Sequence, residues 1–279
     1  MNHSITPQFT KVDGINIHYL SAGEGAVILL IHGWPTSAYL WRNIMPELSK
    51  KYRVIAIDLP GFGQSDKRLE DSFSFRYFNE ILMGFLANLE IEKVILGLHD
   101  LGGPIGLSWL VQNMDRVDRL ILFNTLVYPP FSFAVKLFTL ATMVPGVKNW
   151  MSNPQGIKRA MRFGVYQKDR LTDEIIQQYQ APFESPDSRK VLLKTVQRLS
   201  MKGFQEIEDK LSSFKGPVQI IYGENDQILP KVKQTMEKVK KNLPQSNIVS
   251  IPNCGHFLQE EAAPKINEVL IQFLAGEAE

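Results

Sequence analysis

The sequence predicts an α/β fold: a mostly parallel central sheet flanked by helices, with a helical cap inserted past the middle. Three observations carry that expectation. Short apolar runs rich in β-branched residues recur along the 279 residues, and runs that are apolar at every position suit strands buried on both faces. Helix-length segments separate them, and strand–helix alternation implies parallel pairing with right-handed crossovers. Between 126 and 214 the rhythm breaks. Helical pieces punctuated by "YPPFSF", "MVPG", "SNP" and "APFESPDS" carry no convincing strand, and the stretch is too long for a plain connection.

In order, the chain opens with extended-looking residues on either side of "VDG" (within 9–25), which read as a hairpin and predict an antiparallel start to the sheet. "AVILLI" (26–31) and "YRVIAID" (52–58) are strands, followed by a helix over "SFRYFNEILMGFLANL" (74–89). "KVILGL" (93–98) and "RLILFN" (119–124) are the next strands. The cap follows over 126–214, so residues 1–125 and 215–279 form one core domain. "VQIIYG" (218–223) and "NIVSI" (247–251) complete the sheet, and "PKINEVLIQFLAG" (264–276) is a closing helix.

Composition narrows the function classes. Apolar residues make up 44% and charged residues 22%, with 31 basic and 29 acidic side chains giving a net charge of +2. That balance gives no reason to expect nucleic acid or a membrane as partner. The single cysteine, Cys254, excludes an internal disulfide and makes a cytoplasmic protein the simplest expectation. The polar start "MNHSITPQFTKVDG" lacks the apolar core of a signal peptide, and the apolar runs are too short to span a bilayer. With no Gly-rich phosphate loop, metal-ligand cluster or nucleotide fingerprint, neither a cofactor nor a metal is expected.

The chemistry concentrates at "GLHDLGG" (97–103), a strand, a sharp turn and a helix start. A side chain on such a turn points into the cleft at the strand's carboxyl end. Asp100 stands where hydrolase turns often carry serine. Gly102 and Gly103 let strand and helix approach, whereas Leu98 is larger than the usual glycine. Aspartate also suits a helix N-cap, so the turn alone leaves both readings open. "HGWP" (32–35) ends another strand; its Trp34 N–H, with the Leu101 N–H, is placed to form an oxyanion hole. His32 is expected to be a structural hydrogen bonder. "GENDQILP" (223–230) offers Asp226, separated from Gly223 by two residues as the usual spacing has it, in preference to Glu224, which is expected to be solvated; Asn124, after the earlier strand, cannot carry charge. His256 follows the last strand. The order Asp100, Asp226, His256 is that of nucleophile, acid and base.

Together "HGWPTSAYLWRNI" (32–44), "DLPGFGQSDK" (58–67), "HDLGGPIGLSW" (99–109) and "YQAPFESPDSRKVLL" (179–193) resemble the haloalkane dehalogenases of the α/β-hydrolase superfamily, beside the epoxide hydrolases. The resemblance runs from about residue 10 to the carboxyl terminus, cap included. It implies an α/β-hydrolase fold, Asp100 as nucleophile, Asp226 as orienting acid and His256 as base. An ionised carboxylate can displace a leaving group from an sp³ carbon to give an alkyl ester, which His256-activated water then hydrolyses. The reaction implied is cleavage of a carbon–halogen bond in a small apolar haloalkane to alcohol and halide, with substrate and water as the only partners and a monomer or small homo-oligomer as the assembly. Family members usually carry tryptophan directly after the nucleophile as a halide donor, and this chain has Leu101. They often carry asparagine after "HG"; here Trp34 could donate through its indole. Epoxide hydrolases share the triad and use two cap tyrosines, for which Tyr166 and Tyr179 are the candidates considered. A strained lactone is a third substrate class, and a ligand-binding protein on a hydrolase fold is the non-enzyme alternative. The cap's Phe131, Phe133, Phe138, Met143, Trp150, Met151, Met161, Phe163 and Phe183 are expected to divide between lid packing and an apolar cleft.

Overall fold

The structure, a computed structural model, describes residues 4–129 and 131–276. Met1 to His3 of the polar start, Pro130 of "YPPFSF" and the last three residues lie outside the described residues. The hairpin comes first: β1 (Thr6–Val12) and β2 (Ile15–Ala22) pair antiparallel. Their two-residue turn puts Asp13 and Gly14 at φ values of 47° and 81°, the left-handed pair that such a turn demands and that "VDG" supplies.

The apolar runs become β3 (Val27–Ile31), β4 (Arg53–Ile57), β5 (Val94–Asp100), β6 (Val117–Thr125), β7 (Val218–Gly223) and β8 (Ser246–Ile251). The eight strands form one sheet in the order β1-β2-β4-β3-β5-β6-β7-β8. β2 meets β4 antiparallel, and every pairing from β4 to β8 is parallel. Every residue of β5 is buried, as befits a central strand covered by helices on both faces.

The helices are α1 (Met45–Leu48), α2 (Phe75–Asn88) and α3 (Gly102–Leu110) in the first half, and α4 (Phe133–Ala141), α5 (Val147–Ser152), α6 (Pro154–Gly164), α7 (Asp173–Gln180), α8 (Pro186–Gln197) and α9 (Met201–Lys210) between β6 and β7. The last three are α10 (Val232–Asn242), α11 (Leu258–Glu261) and α12 (Ala263–Ala275). Helix α2 shows how sequence sets position. Ser74 caps it by accepting from the Tyr77 N–H, and Phe75, Phe78, Ile81, Leu82, Phe85 and Leu86 recur at helical spacing on the buried face.

Among the described residues no strand lies between β6 and β7. This helical segment packs on the core at several points: Phe138 against Trp34 with ring centroids 5.0 Å apart, Phe204 against Phe75 at 5.2 Å, and the Gly164 carbonyl accepting the His256 N–H at 2.6 Å. One boundary differs from the sequence expectation. His99 and Asp100 are still part of β5, where a register irregularity pairs Asp100 with Thr125.

Candidate active site

Asp100 ends β5 with φ 47°, a left-handed conformation that an L-residue holds only when its surroundings impose it. The helix N-cap position falls to Leu101 instead, so Asp100 is released from capping and its carboxylate turns toward "HGWP". The approach is close. A Cβ on Gly33 would lie 2.3 Å from the Asp100 Cβ, and one on Gly103 would lie 1.5 Å from Thr125 Oγ1. These glycines are therefore steric requirements of the turn. The oversized Leu98 is accommodated from the other side: a Cβ on Gly106 of α3 would come 2.2 Å from a Leu98 methyl carbon, so missing volume in the helix takes up the extra volume in the strand.

The two Asp100 oxygens have different neighbours. Oδ1 accepts the Trp34 main-chain N–H at 2.7 Å. Oδ2 lies 3.3 Å from His256 Nε2. His256 is fully buried, and its Nδ1 meets Asp226 Oδ2 at 2.8 Å. The Asp226 carboxylate is surrounded: Asn124 Nδ2 also donates to Oδ2 at 2.7 Å, and the N–H groups of Ile228 and Leu229 donate to Oδ1 at 2.8 and 2.7 Å. The structure thus brings Asp100, His256 and Asp226 into one line, with Trp34 N–H beside the first.

Electrostatics follow from that line. Burial alone would lower the His256 pKa, but the flanking Asp226 and Asp100 carboxylates outweigh it and raise it to about 10. Burial likewise would push Asp100 up, yet the His256 ring beside it, with His99 and the Leu101 N–H, holds it below the usual carboxylate value. His99 is driven the other way, to about 3, by burial and then by His256.

Several supporting residues were not readable as such. His99 Nε2 donates to the His256 carbonyl at 3.0 Å, with the two rings 4.8 Å apart. Asn124 holds Asp226 and also donates to the Gly255 carbonyl at 3.1 Å while accepting the Gly223 N–H at 2.9 Å. Glu261 accepts N–H bonds from Gly255, Tyr166 and Gln167 at 2.7 to 2.8 Å. Asn124's place at a strand end was the one signal available for it; Glu261 and His99 look like ordinary helix and strand residues in sequence. His32 behaves as expected, donating from Nδ1 to the Gly33 carbonyl and accepting the Leu59 N–H at Nε2. Glu224 is exposed and bonds Ser250.

The two tyrosine candidates are placed elsewhere. The buried Tyr179 hydroxyl donates to Glu260, whose carboxylate is also gripped by Arg42. Tyr166 is 45% exposed and lines a solvent-open cleft of about 440 Å³ beside Glu224 and the outer side of Asp226. The Tyr179 hydroxyl is thus occupied, and Tyr166 is open to solvent. Of the cap apolar residues, Met161 and Phe183 are fully buried, whereas Phe133, Met143, Trp150 and Phe163 are exposed, so the exposed ones contribute to no enclosed cleft. Among the described residues no group of three or more His, Cys, Asp or Glu side chains could hold a metal, and no helix is long and apolar enough to cross a membrane.

Comparison with known proteins agrees with this architecture. A family model for the alpha/beta hydrolase fold matches residues 26–263. The chain is 26% identical over 292 residues to a haloalkane dehalogenase of Psychrobacter cryohalolentis, covering 98% of this chain and 93% of the relative. It is equally 26% identical, over 294 residues and 99% of both chains, to a soluble epoxide hydrolase of Corynebacterium sp. strain C12. In fold it is similar to the crystal structure of a haloalkane dehalogenase from Agrobacterium tumefaciens C58, with a TM-score of 0.86, 24% identity and coverage of 99% and 98% of the two chains. A mostly parallel sheet with its polar machinery gathered at the strand ends, and a family match over most of the chain, make this protein a member of the α/β-hydrolase fold family.

Proposed function

We propose that the protein hydrolyses carbon–halogen bonds in small apolar haloalkanes through a covalent ester on Asp100. The observation that carries this reading is the division of labour at the Asp100 carboxylate. Oδ1 is held by Trp34 N–H and Oδ2 is left facing His256 without a formed hydrogen bond. In this scheme Oδ2 attacks the substrate's sp³ carbon, the carbon–halogen bond breaks, and the halide leaves with the electron pair. The Trp34 indole Nε1–H is buried and has no acceptor. The indoles of Trp41 and Trp109 are likewise unpartnered, but Trp34 alone among them bonds Asp100, through its main-chain N–H, so its indole is the donor assigned to the departing halide. An unmet buried donor costs roughly 1–3 kcal/mol, which an arriving halide relieves.

Forming the ester removes the Asp100 charge, one of the two that hold the His256 pKa up. The imidazole then loses its proton more readily and becomes a base at the step that needs one. His256 takes a proton from water, the water oxygen bonds to the Asp100 carboxyl carbon, and the oxyanion develops on Oδ1 against the N–H groups of Trp34 and Leu101. Collapse releases the alcohol and regenerates Asp100 carrying one water-derived oxygen. A carboxylate gains nothing by attacking an ordinary ester, since the anhydride formed is no easier to make. In this reading the helical segment 126–214 is the cap over a core of 1–125 and 215–279. Epoxide opening shares the triad but needs hydroxyl donors, and the occupied Tyr179 and exposed Tyr166 favour the halide.

The test is to trap the ester. His256→Gln incubated with a panel of bromoalkanes and epoxides should accumulate an adduct of the alkyl mass on Asp100, found by intact mass and peptide mapping. Halide release by the wild type should accompany it. No adduct with any member overturns the nucleophile assignment, and an adduct from epoxides alone overturns the substrate. Ligand binding without turnover by the wild type would make it a binding protein.

A further inference from the structure

Helix α4 has no buried residue although its sequence, "FAVKLFTLA", is mostly apolar. Its two sides differ in direction. Val135, Phe138 and Thr142 turn inward, with Phe138 on the Trp34 ring. Phe133, Leu137 and Leu140 recur at i, i+4 and i+7 on the outer side of α4, and further exposed apolar residues follow after the turn, Val144 and then Val147 and Trp150 of α5. All six are exposed, from 41% to 78%. A monomer rarely leaves so contiguous an apolar face in water without a use for it.

Charge says what covers it. From Leu126 to Lys168 the chain holds no Asp or Glu but has Lys136, Lys148, Lys158, Arg159, Arg162 and Lys168. Lys158 and Arg162 pair with Asp173 of α7. Lys136, Lys148 and Arg159 have no ion pair among the described residues, and Arg159 lies over the Trp150 ring at 5.4 Å. Since the whole chain carries only +2, the remainder is net acidic and the molecule is electrically polarised. A second copy is a poor fit. A twofold interface would bring this patch against itself and set like charges together. An anionic bilayer supplies the missing negative charge and an apolar layer for the stripe, with tryptophan at the boundary and lysines reaching for headgroups.

We propose that the outer face of α4 and α5 docks on an anionic lipid bilayer surface, lying in the interface without crossing it. The opposite side of the same helix touches Trp34, whose N–H holds Asp100, so, on the function proposed above, an apolar molecule dissolved in the bilayer is presented on the far side of the helix that packs beside the nucleophile. The overall net charge hides this feature by averaging it away.

Flotation of the full-length protein with vesicles tests the proposal. Binding should be strong to vesicles of phosphatidylcholine and phosphatidylglycerol in equal parts, weak to phosphatidylcholine alone, and weakened by salt. The double substitution Leu137→Glu with Leu140→Glu should cut partitioning by at least about tenfold, and Lys136→Glu with Lys148→Glu should abolish the preference for anionic lipid. Leu137, Leu140 and Lys136 are exposed and Lys148 is half-buried without an ion pair, so circular dichroism and turnover of a water-soluble substrate should be unchanged. Wild type that fails to float with anionic vesicles overturns the proposal. So does a concentration-dependent dimer that the leucine substitutions dissolve while flotation is absent, because the occupant is then a second copy.

Discussion

His256 sits between two carboxylates, and its titration is the most direct report on the site. Asp100→Asn removes one flanking charge and should lower the His256 pKa from its raised value of about 10, read by the ring shifts in an NMR titration; no change would mean the two groups are not coupled. The stability consequence has a definite sign. A raised folded pKa means the contribution is complete below the ordinary imidazole value of 6.5 and is lost as pH climbs through about 10. Wild type should therefore lose more stability than Asp100→Asn between neutral pH and pH 10 in denaturant titrations. Leu101 offers a second test. A hydrogen bond to a charged group is worth roughly 1.5–3 kcal/mol. Leu101→Trp, if its indole meets the halide, should raise turnover of chloroalkanes by about ten- to a hundredfold and of iodoalkanes by much less. Residue identities carried the reading of Asp100, Asp226, His256 and Trp34 because their types and order are chemically restrictive. Asn124 and His99 escaped it because their roles depend on which carbonyls and carboxylates the fold brings beside them, across 102 and 157 positions of chain.

Elements were legible to different degrees. Strands buried on both faces announce themselves by uniform apolarity, and the "VDG" hairpin by its turn chemistry, so β1 to β8 match the expected runs within a few residues. The β5 end was not legible to the residue, because the left-handed Asp100 stays in the strand ladder through pairing with β6, a tertiary effect. The helical segment was readable as helical, but not which faces it would bury, since α4 is apolar on both. How that segment is fastened makes a prediction. Glu261 of α11 gathers N–H groups from Gly255, just before His256, and from Tyr166 and Gln167, just after α6. Glu261→Ala strands three donors and should cost about 1–3 kcal/mol for each that water cannot reach. It should lower the melting temperature, and it should reduce kcat more than KM because it frees the loop that carries His256. Glu261→Gln, able to accept only through one oxygen, should fall between.

At the scale of the molecule, the sheet core and the helical segment share their packing. Phe257 and Ile228 fill the space beside Gly164, Phe75 meets Phe204, and the Gly164 carbonyl holds the His256 N–H. Contacts this intimate should make unfolding one cooperative event. Calorimetry should give a single transition with coincident loss of near- and far-ultraviolet circular dichroism, and two resolved transitions would mean the segment is an independent unit. The Leu98–Gly106 contact has a historical consequence. Gly106→Ala alone places a carbon 2.2 Å from a leucine methyl, and Leu98→Gly alone opens a void beneath the Asp100 turn. Either single change is costly, while the double exchange restores a tolerable fit, so the two costs should be far from additive. A lineage can cross between the small-in-strand and small-in-helix arrangements only through a damaged ancestor or a rare paired replacement. That makes this pair a ratchet.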